Sequence, residues 1–174
     1  MKRGLIVLSL LLLAGSCQKE SYSRFSTKHK VFFGCNISVY PYNGIVTPGR
    51  FMTVRKSEGV LVIVDSDGKD FREPLTANDN ATFIMGLSGL ILGTPIFNND
   101  GFTVWAYDLG CPECDAPTVR LKVDLQEGSA SCSKCGGSWN LNVDGNPVND
   151  DGVERRPLYR YPTSLSGNLL TVSN

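Results

Sequence analysis

Two short cysteine motifs carry most of the chemistry this sequence offers. Cys111-Pro112-Glu113-Cys114 and Cys132-Ser133-Lys134-Cys135 are separated by residues 115–131, a spacing inside the range of two-loop tetrahedral metal sites. Two residues between cysteines make a tight turn that aims both sulfurs at one point. Backbone N–H groups in such a turn offset the charge of the thiolates. Gly136 and Gly137 follow the second pair, where glycine suits a turn that needs positive φ. Four such sulfurs suit zinc or iron. Two other uses stay open. In an oxidising compartment the cysteines could pair as disulfides, across the loops or within each motif. Cys-Pro-x-Cys also has the spacing of a redox-active dithiol, although such motifs usually open a helix in a βαβ setting and this region reads as β.

Little else in the chain could do chemistry. His29 is the only histidine, so no Ser/His/Asp or Cys/His catalytic set can be assembled. It falls in a polar segment and reads as solvated. Asp150-Asp151 reads as a solvated turn, and Trp139 as a packing residue beside the second motif. Cys35 has no evident partner; between Phe33 and Ile37 it reads as a small buried hydrophobe. The expectation is a module that is not an enzyme.

The elements that must position the cysteines are strands. Short runs rich in Val, Ile, Phe, Thr and Tyr alternate with turn residues. The candidates are Val31–Phe33, Ile37–Tyr40, Phe51–Arg55, Val60–Val64, Ala81–Ile84, Leu90–Leu92, Phe102–Asp108, Thr118–Asp124, Ser138–Val143, Leu158–Tyr161 and Leu169–Val172. Pro48-Gly49, Asp67-Gly68, Asn78-Asp79-Asn80, Asp100-Gly101, Asp144-Gly145 and Ser166-Gly167 supply turns between many of them. Period-two alternation is clearest over Phe102–Tyr107, with Phe102, Val104 and Ala106 on one face and Thr103, Trp105 and Tyr107 on the other. No stretch carries a long amphipathic helix. An all-β sandwich or barrel is expected, with both cysteine loops at one end and all four sulfurs within about 4 Å of each other, as zinc–sulfur bonds of about 2.3 Å require.

The N-terminal end has a different logic. Lys2 and Arg3 precede an apolar run, Leu5–Leu13, too short to span a bilayer as a helix. Ala14-Gly15-Ser16-Cys17 then resembles the lipobox of bacterial lipoproteins, in which the cysteine takes a diacylglycerol and becomes the first mature residue. That resemblance implies a signal peptide over residues 1–16, lipidation at Cys17, and a bilayer held through acyl chains rather than a transmembrane span. Gln18-Lys19-Glu20 resembles the charged tag of surface-displayed lipoproteins of the Bacteroides group. Both the cell surface and the periplasmic face of the outer membrane stay open. Residues 17–30, polar and without apolar periodicity, read as lipidated cysteine and tether. Residues 31–174 read as the β domain, with a metal-binding subdomain over about 109–152. Lys and Arg together number 17, as do Asp and Glu; without Lys2 and Arg3 the net charge is about −2, and nothing in it attracts nucleic acid.

From about Phe102 to Val172 the sequence resembles the Rieske iron–sulfur domain. A strand, Phe102–Asp108, runs into a first metal loop at Cys111-Pro112. Cys132-x-x-Cys135-Gly136-Gly137-Ser138-Trp139-Asn140 is similar to the second Rieske loop. Asp144-Gly145-Asn146-Pro147 and Gly152 resemble the turn and cover loop that follow, and Leu158–Tyr161 and Gly167–Val172 the closing strands. Phe51–Val54 and Leu90–Leu92 fit the base strands more loosely. The departure lies in the ligands. A Rieske cluster uses one Cys and one His from each loop, and here Cys114 and Cys135 stand where the histidines would be. With His29 as the sole histidine, two-His ligation is excluded. The resemblance then implies a four-cysteine variant: a Rieske-like β-sandwich or barrel with a rubredoxin- or zinc-ribbon-like metal subdomain at Cys111, Cys114, Cys132 and Cys135. Zinc in a structural role is the first expectation, because symmetric Cys-x-x-Cys pairs converge on one ion. A single iron ion, a [2Fe–2S] electron carrier and a thiol–disulfide redox protein are the alternatives. The sequence names no redox or protein partner.

Overall fold

The computed structural model describes residues 24–97, 104–148 and 151–174. The expected signal segment, Cys17 and the start of the tether lie outside the described residues. No helix among the described residues is long and apolar enough to cross a membrane.

The described chain is mostly β, with one short α-helix and one 3-10 turn. The strands, in chain order, are β1 (Val31–Asn36), β2 (Arg50–Ser57), β3 (Val60–Val64), β4 (Asp70–Pro74), β5 (Ile84–Met85), β6 (Leu90–Thr94), β7 (Trp105–Asp108), β8 (Lys122–Asp124), β9 (Ser129–Ser131), β10 (Ser138–Asn140), β11 (Asn146–Pro147), β12 (Arg160–Tyr161), β13 (Thr163–Ser166) and β14 (Leu169–Ser173). They make three antiparallel sheets: a six-stranded base sheet, β12-β7-β6-β2-β3-β4, and two four-stranded sheets, β13-β14-β1-β5 and β11-β10-β9-β8.

Both faces of the base sheet are covered, and alternation within its strands decides which residue goes where. Met52, Val54, Leu90, Leu92, Val104 and Ala106 point to one side. There they pack with Val31, Phe33, Cys35, Leu170 and Val172 of the β1–β14 sheet. Phe51, Ile91, Trp105, Tyr107 and Leu109 point to the other side, onto Leu121, Ala130, Trp139 and Leu141 of the smallest sheet and the loops around it. That second core also contains Cys111 and Cys132. The alternation expected over the Phe102–Tyr107 run is present in Val104–Tyr107, and both faces are buried there; Phe102 and Thr103 lie outside the described residues. Cys35 is buried in the first core, and burial pushes its thiol up to about 12.

Four expected elements come out differently. Ile37–Tyr40 is a turn, not a strand. Asn36 Oδ1 accepts from the Ser38 N–H at 2.9 Å, and the local side-chain bond competes with ladder pairing. Ala81–Ile84 is a strand only from Ile84; before it, Ala77–Thr82 forms helix α1. Thr76 Oγ1 accepts from the Asp79 N–H at 3.1 Å and donates to Asp79 Oδ2 at 2.7 Å, so Thr76 caps the helix that the Asn/Asp cluster suggested was only a turn. Thr118–Asp124 and Ser138–Val143 contract to the three-residue strands β8 and β10: residues 118–121 pair with the backbone around the first cysteine loop, and residues 141–143 form the turn into β11, where Asn140 Oδ1 accepts from the Asn142 N–H at 2.8 Å.

Asp108, at the end of β7, fixes the approach to the first cysteine loop. It is fully buried and accepts from the Leu87 N–H at 2.6 Å, the Ser88 N–H at 3.2 Å, the Gly110 N–H at 2.6 Å and the Tyr161 hydroxyl at 2.6 Å. Burial pushes its carboxyl up, while these four donors pull it down.

Candidate metal centre

The two cysteine loops have the same local conformation. In each, the first cysteine is buried and the second is half-exposed: Cys111 and Cys132 are 0% and 2% exposed, with Cys114 and Cys135 nearer the surface. The carbonyl of the first cysteine accepts from the N–H four residues on, Asp115 to Cys111 and Gly136 to Cys132, both at 2.9 Å. That fifth residue has positive φ in both loops, 47° at Asp115 and 72° at Gly136. Glycine adopts this conformation freely, and aspartate is among the side chains that tolerate it. The backbone N–H groups of Cys114 and Glu113 favour the thiolate of Cys111, and those of Cys135 and Lys134 that of Cys132. The strands bracket this arrangement. An antiparallel bridge joins Gly110 to Arg120, and β9 pairs with β10 in register Ser131 to Ser138 across the second loop.

The loops face each other. Cys111 Sγ lies 3.6 Å from Cys135 Sγ, and Cys114 Sγ lies 3.8 Å from Cys132 Sγ. All four sulfurs fall within 4.8 Å of one another, a slightly looser cluster than expected. A zinc ion bonded to four sulfurs at about 2.3 Å sets them about 3.8 Å apart, so the four-thiol set fits one tetrahedral ion. The close pairs are too long for disulfide bonds, which measure about 2.05 Å, and these four cysteines and Cys35 are free thiols. Electrostatics point the same way. Burial pushes the Cys111 thiol up against its N–H donors, and burial likewise raises Cys114. At Cys132 the burial that would raise it is outweighed by the N–H groups of Cys135 and Lys134 and by the neighbouring thiols, which bring it down to about 7. Four thiolates this close repel one another, and a cation among them is what allows all four to ionise.

A chain segment lies across both loops. The Arg156 N–H donates to Glu113 Oε1 at 2.7 Å, its guanidinium donates to the Pro112 carbonyl, and its own carbonyl accepts from Trp139 Nε1 at 2.9 Å. The first loop is thereby tied to the tryptophan that follows the second. Trp139 is fully buried and covers Gly137, where an added Cβ would meet the ring at 2.5 Å. Arg155 holds Asp151 through two bonds, at 2.7 and 2.8 Å, and feels the charge of Cys135.

His29 is not a free tether residue. Its Nε2 lies 3.0 Å from Asp115 Oδ1 and its ring meets Tyr159 edge-on at 5.1 Å. Lys28 Nζ pairs with Asp115 Oδ2, and Arg24 pairs with Asp144 at 3.2 Å. The Ser26 N–H donates to the Arg160 carbonyl at 2.7 Å. The part of the expected tether from Arg24 onward is therefore docked on the domain. Sequence reasoning identified the four cysteines and Gly136, and missed Asp115, Tyr159 and the docked segment. The run SYSRFSTKHK has no apolar pattern, and its partners lie far away in sequence.

Comparison with known proteins gave no matching family model, no matching curated protein and no matching solved structure.

Proposed function

We propose that this chain is a membrane-anchored, Rieske-like lipoprotein whose four cysteines hold one metal ion, zinc, in a structural role within a non-enzymatic module. The observation that carries the reading is the convergence of four sulfurs within 4.8 Å, from two loops of the same conformation. Two irons bridged in a [2Fe–2S] cluster each take two thiolates and would spread the pairs wider than one ion's tetrahedron, which favours the single ion. A closed four-thiolate shell leaves zinc no open position for bound water, and this suits structure rather than catalysis. The Rieske likeness is supported by the order of parts: a base strand, β7, leads into the first loop, a short β excursion follows, and the second loop and its Trp139 are overlaid by the segment before β12. Elemental analysis and a visible spectrum test the metal, on protein made with ample iron and cluster assembly. One zinc per chain and no absorption beyond the aromatic band is expected. Two irons with acid-labile sulfide would replace this reading with the electron carrier.

The anchor is proposed from the sequence between Lys2 and Cys17 alone. Cys17→Ala is expected to release the protein from the membrane fraction or to block removal of the signal segment, read by fractionation and intact mass. An alanine variant that is processed and stays with the membrane would remove the lipoprotein reading. The acyl chains would hold the domain to the outer membrane, on the periplasmic face or the cell surface.

A further inference from the structure

We infer that residues 24–30 form a clasp on the first metal loop, so that docking of this segment and occupancy of the four-thiol site stabilise each other. The inference rests on the metal reading above and extends it to the positioning of Cys114.

The clasp closes on Asp115, the residue after Cys114. Asp115 has φ of 47°, an uncommon value for a non-glycine residue. Its N–H bonds the Cys111 carbonyl, so its conformation and the closure of the loop are one feature. Its carboxylate is engaged on both oxygens: Lys28 Nζ at Oδ2, with His29 Nε2 at 3.0 Å and the Tyr159 hydroxyl at 3.1 Å from Oδ1. The Tyr159 hydroxyl also lies 3.3 Å from the Pro112 carbonyl inside the same loop, and Lys28 Nζ reaches that hydroxyl at 3.3 Å. Lys28, His29 and Tyr159 therefore grip the loop at its second and fifth positions, on either side of Cys114. The Lys28 ammonium, joined by hydrogen bonds from His29 and Tyr159, holds the Asp115 carboxyl down at about 2. The second loop offers no carboxylate for such a grip. Gly136 stands where Asp115 does and has no side chain, and glycine needs no help to hold positive φ.

The consequence is reciprocal. A loop already held in its ligating shape binds an ion more tightly, and a bound ion fixes the loop that the segment docks on. Groups that orient metal ligands typically change metal affinity 10- to 100-fold when removed. Lys28, His29 and Tyr159 are thus positioning residues for the metal site, and His29 acts here without being a ligand.

The test uses the full chain purified in detergent, with zinc affinity measured by competition against a chromophoric chelator. The Lys28→Ala/His29→Ala double variant is expected to bind zinc roughly 10-fold more weakly, and Lys69→Ala, at an exposed position far from the clasp, to stay within about twofold of the unaltered chain. In an Asp115→Asn background the double replacement is expected to add little, because its partner is already weakened. Trypsin with mass readout checks the reverse direction: cleavage after Lys28 should slow at least several-fold when zinc is added, while cleavage after Lys69, in a turn of the base sheet, keeps its rate. A double variant that binds zinc as tightly as the unaltered chain, or whose loss adds in full to that of Asp115→Asn, would overturn the clasp and leave the metal reading intact. An unaltered chain that takes up no zinc would overturn both.

Discussion

Cys114→Ser and Cys135→Ser are each expected to strip the metal and melt the β8–β11 sheet while the two larger sheets stay folded. These two cysteines are the half-exposed members of their loops, so serine removes a ligand and leaves almost no cavity. The same change at Cys111 or Cys132 would mix ligand loss with damage to the second core, where both are packed. Structural zinc contributes about 10–16 kcal/mol in small zinc-binding peptides, which exceeds what this small sheet can supply alone. Its strands have only two to three residues each. The large apolar residues between the two cysteine pairs are few: Val119, Leu121, Val123 and Leu125. The opposite face of the base sheet has its own core, built on Phe33, Met52, Ile63, Leu92 and Val172, and Tyr159 at its rim reaches the first loop through its hydroxyl. Hydrogen exchange separates the two halves. Amides of Ala130, Ser131 and Trp139 should lose protection in either variant, and those of Val54, Val62 and Leu92 should keep theirs. Unchanged protection at Ala130 and Trp139 would mean that the sheet does not depend on the metal. Loss of protection throughout would mean that the two cores are not independent.

How much of this could be read in advance follows from how local each signal is. The four clustered cysteines were legible because Cys-x-x-Cys carries its geometry within four residues, and two copies imply a meeting point. Strands such as Val60–Val64 were legible because branched apolar residues between turns have few other uses. β4 was not, since Asp70, Arg72, Glu73 and Pro74 are poor strand formers. As an edge strand with β3 as its one neighbour, it is held by that pairing and the partly buried Phe71. β9 and β13 are serine-rich and were missed for the same reason. Helix α1 was hidden in a cluster that also spells a turn, and Thr76 decides between them. His29 was misjudged because its segment has no pattern of its own; what fixes it is Asp115, 86 residues away. Polar contacts across that distance leave no periodic trace in a single sequence.

Asp108 belongs to the same class of features, and its replacement is expected to have the second-largest effect after loss of a ligand. Asp108→Asn keeps the shape and removes the charge. In the native chain the carboxylate meets four donors: the N–H groups of Leu87, Ser88 and Gly110, and the Tyr161 hydroxyl. An asparagine must turn its NH2 toward one pair of them. Placed at the Oδ1 position it faces the N–H groups of Ser88 and Gly110, and both lose their acceptor. Placed at the Oδ2 position it faces the Leu87 N–H, and Tyr161 must reverse its hydroxyl. The second orientation is better, and it still orphans one buried donor and weakens the rest. Hydrogen bonds to a charged group are worth about 1.5–3 kcal/mol, and an orphaned buried group costs about 1–3 kcal/mol. The net loss should be about 3 kcal/mol, or roughly 6–12 °C in Tm for a domain of this size. No neighbouring group can shift to compensate, because the node is crowded. A Cβ added at Gly86 would lie 2.3 Å from Asp108 Oδ2 and 2.6 Å from the Tyr161 hydroxyl. The loss should also reach the metal site, since Gly110, one of the four donors, is the residue before Cys111. Thermal unfolding of the zinc-loaded variant, together with its zinc affinity, measures both. A Tm within about 2 °C of the unaltered chain would show that the four donors find other acceptors, and that the buried carboxylate is not what ties β7 to the first cysteine loop.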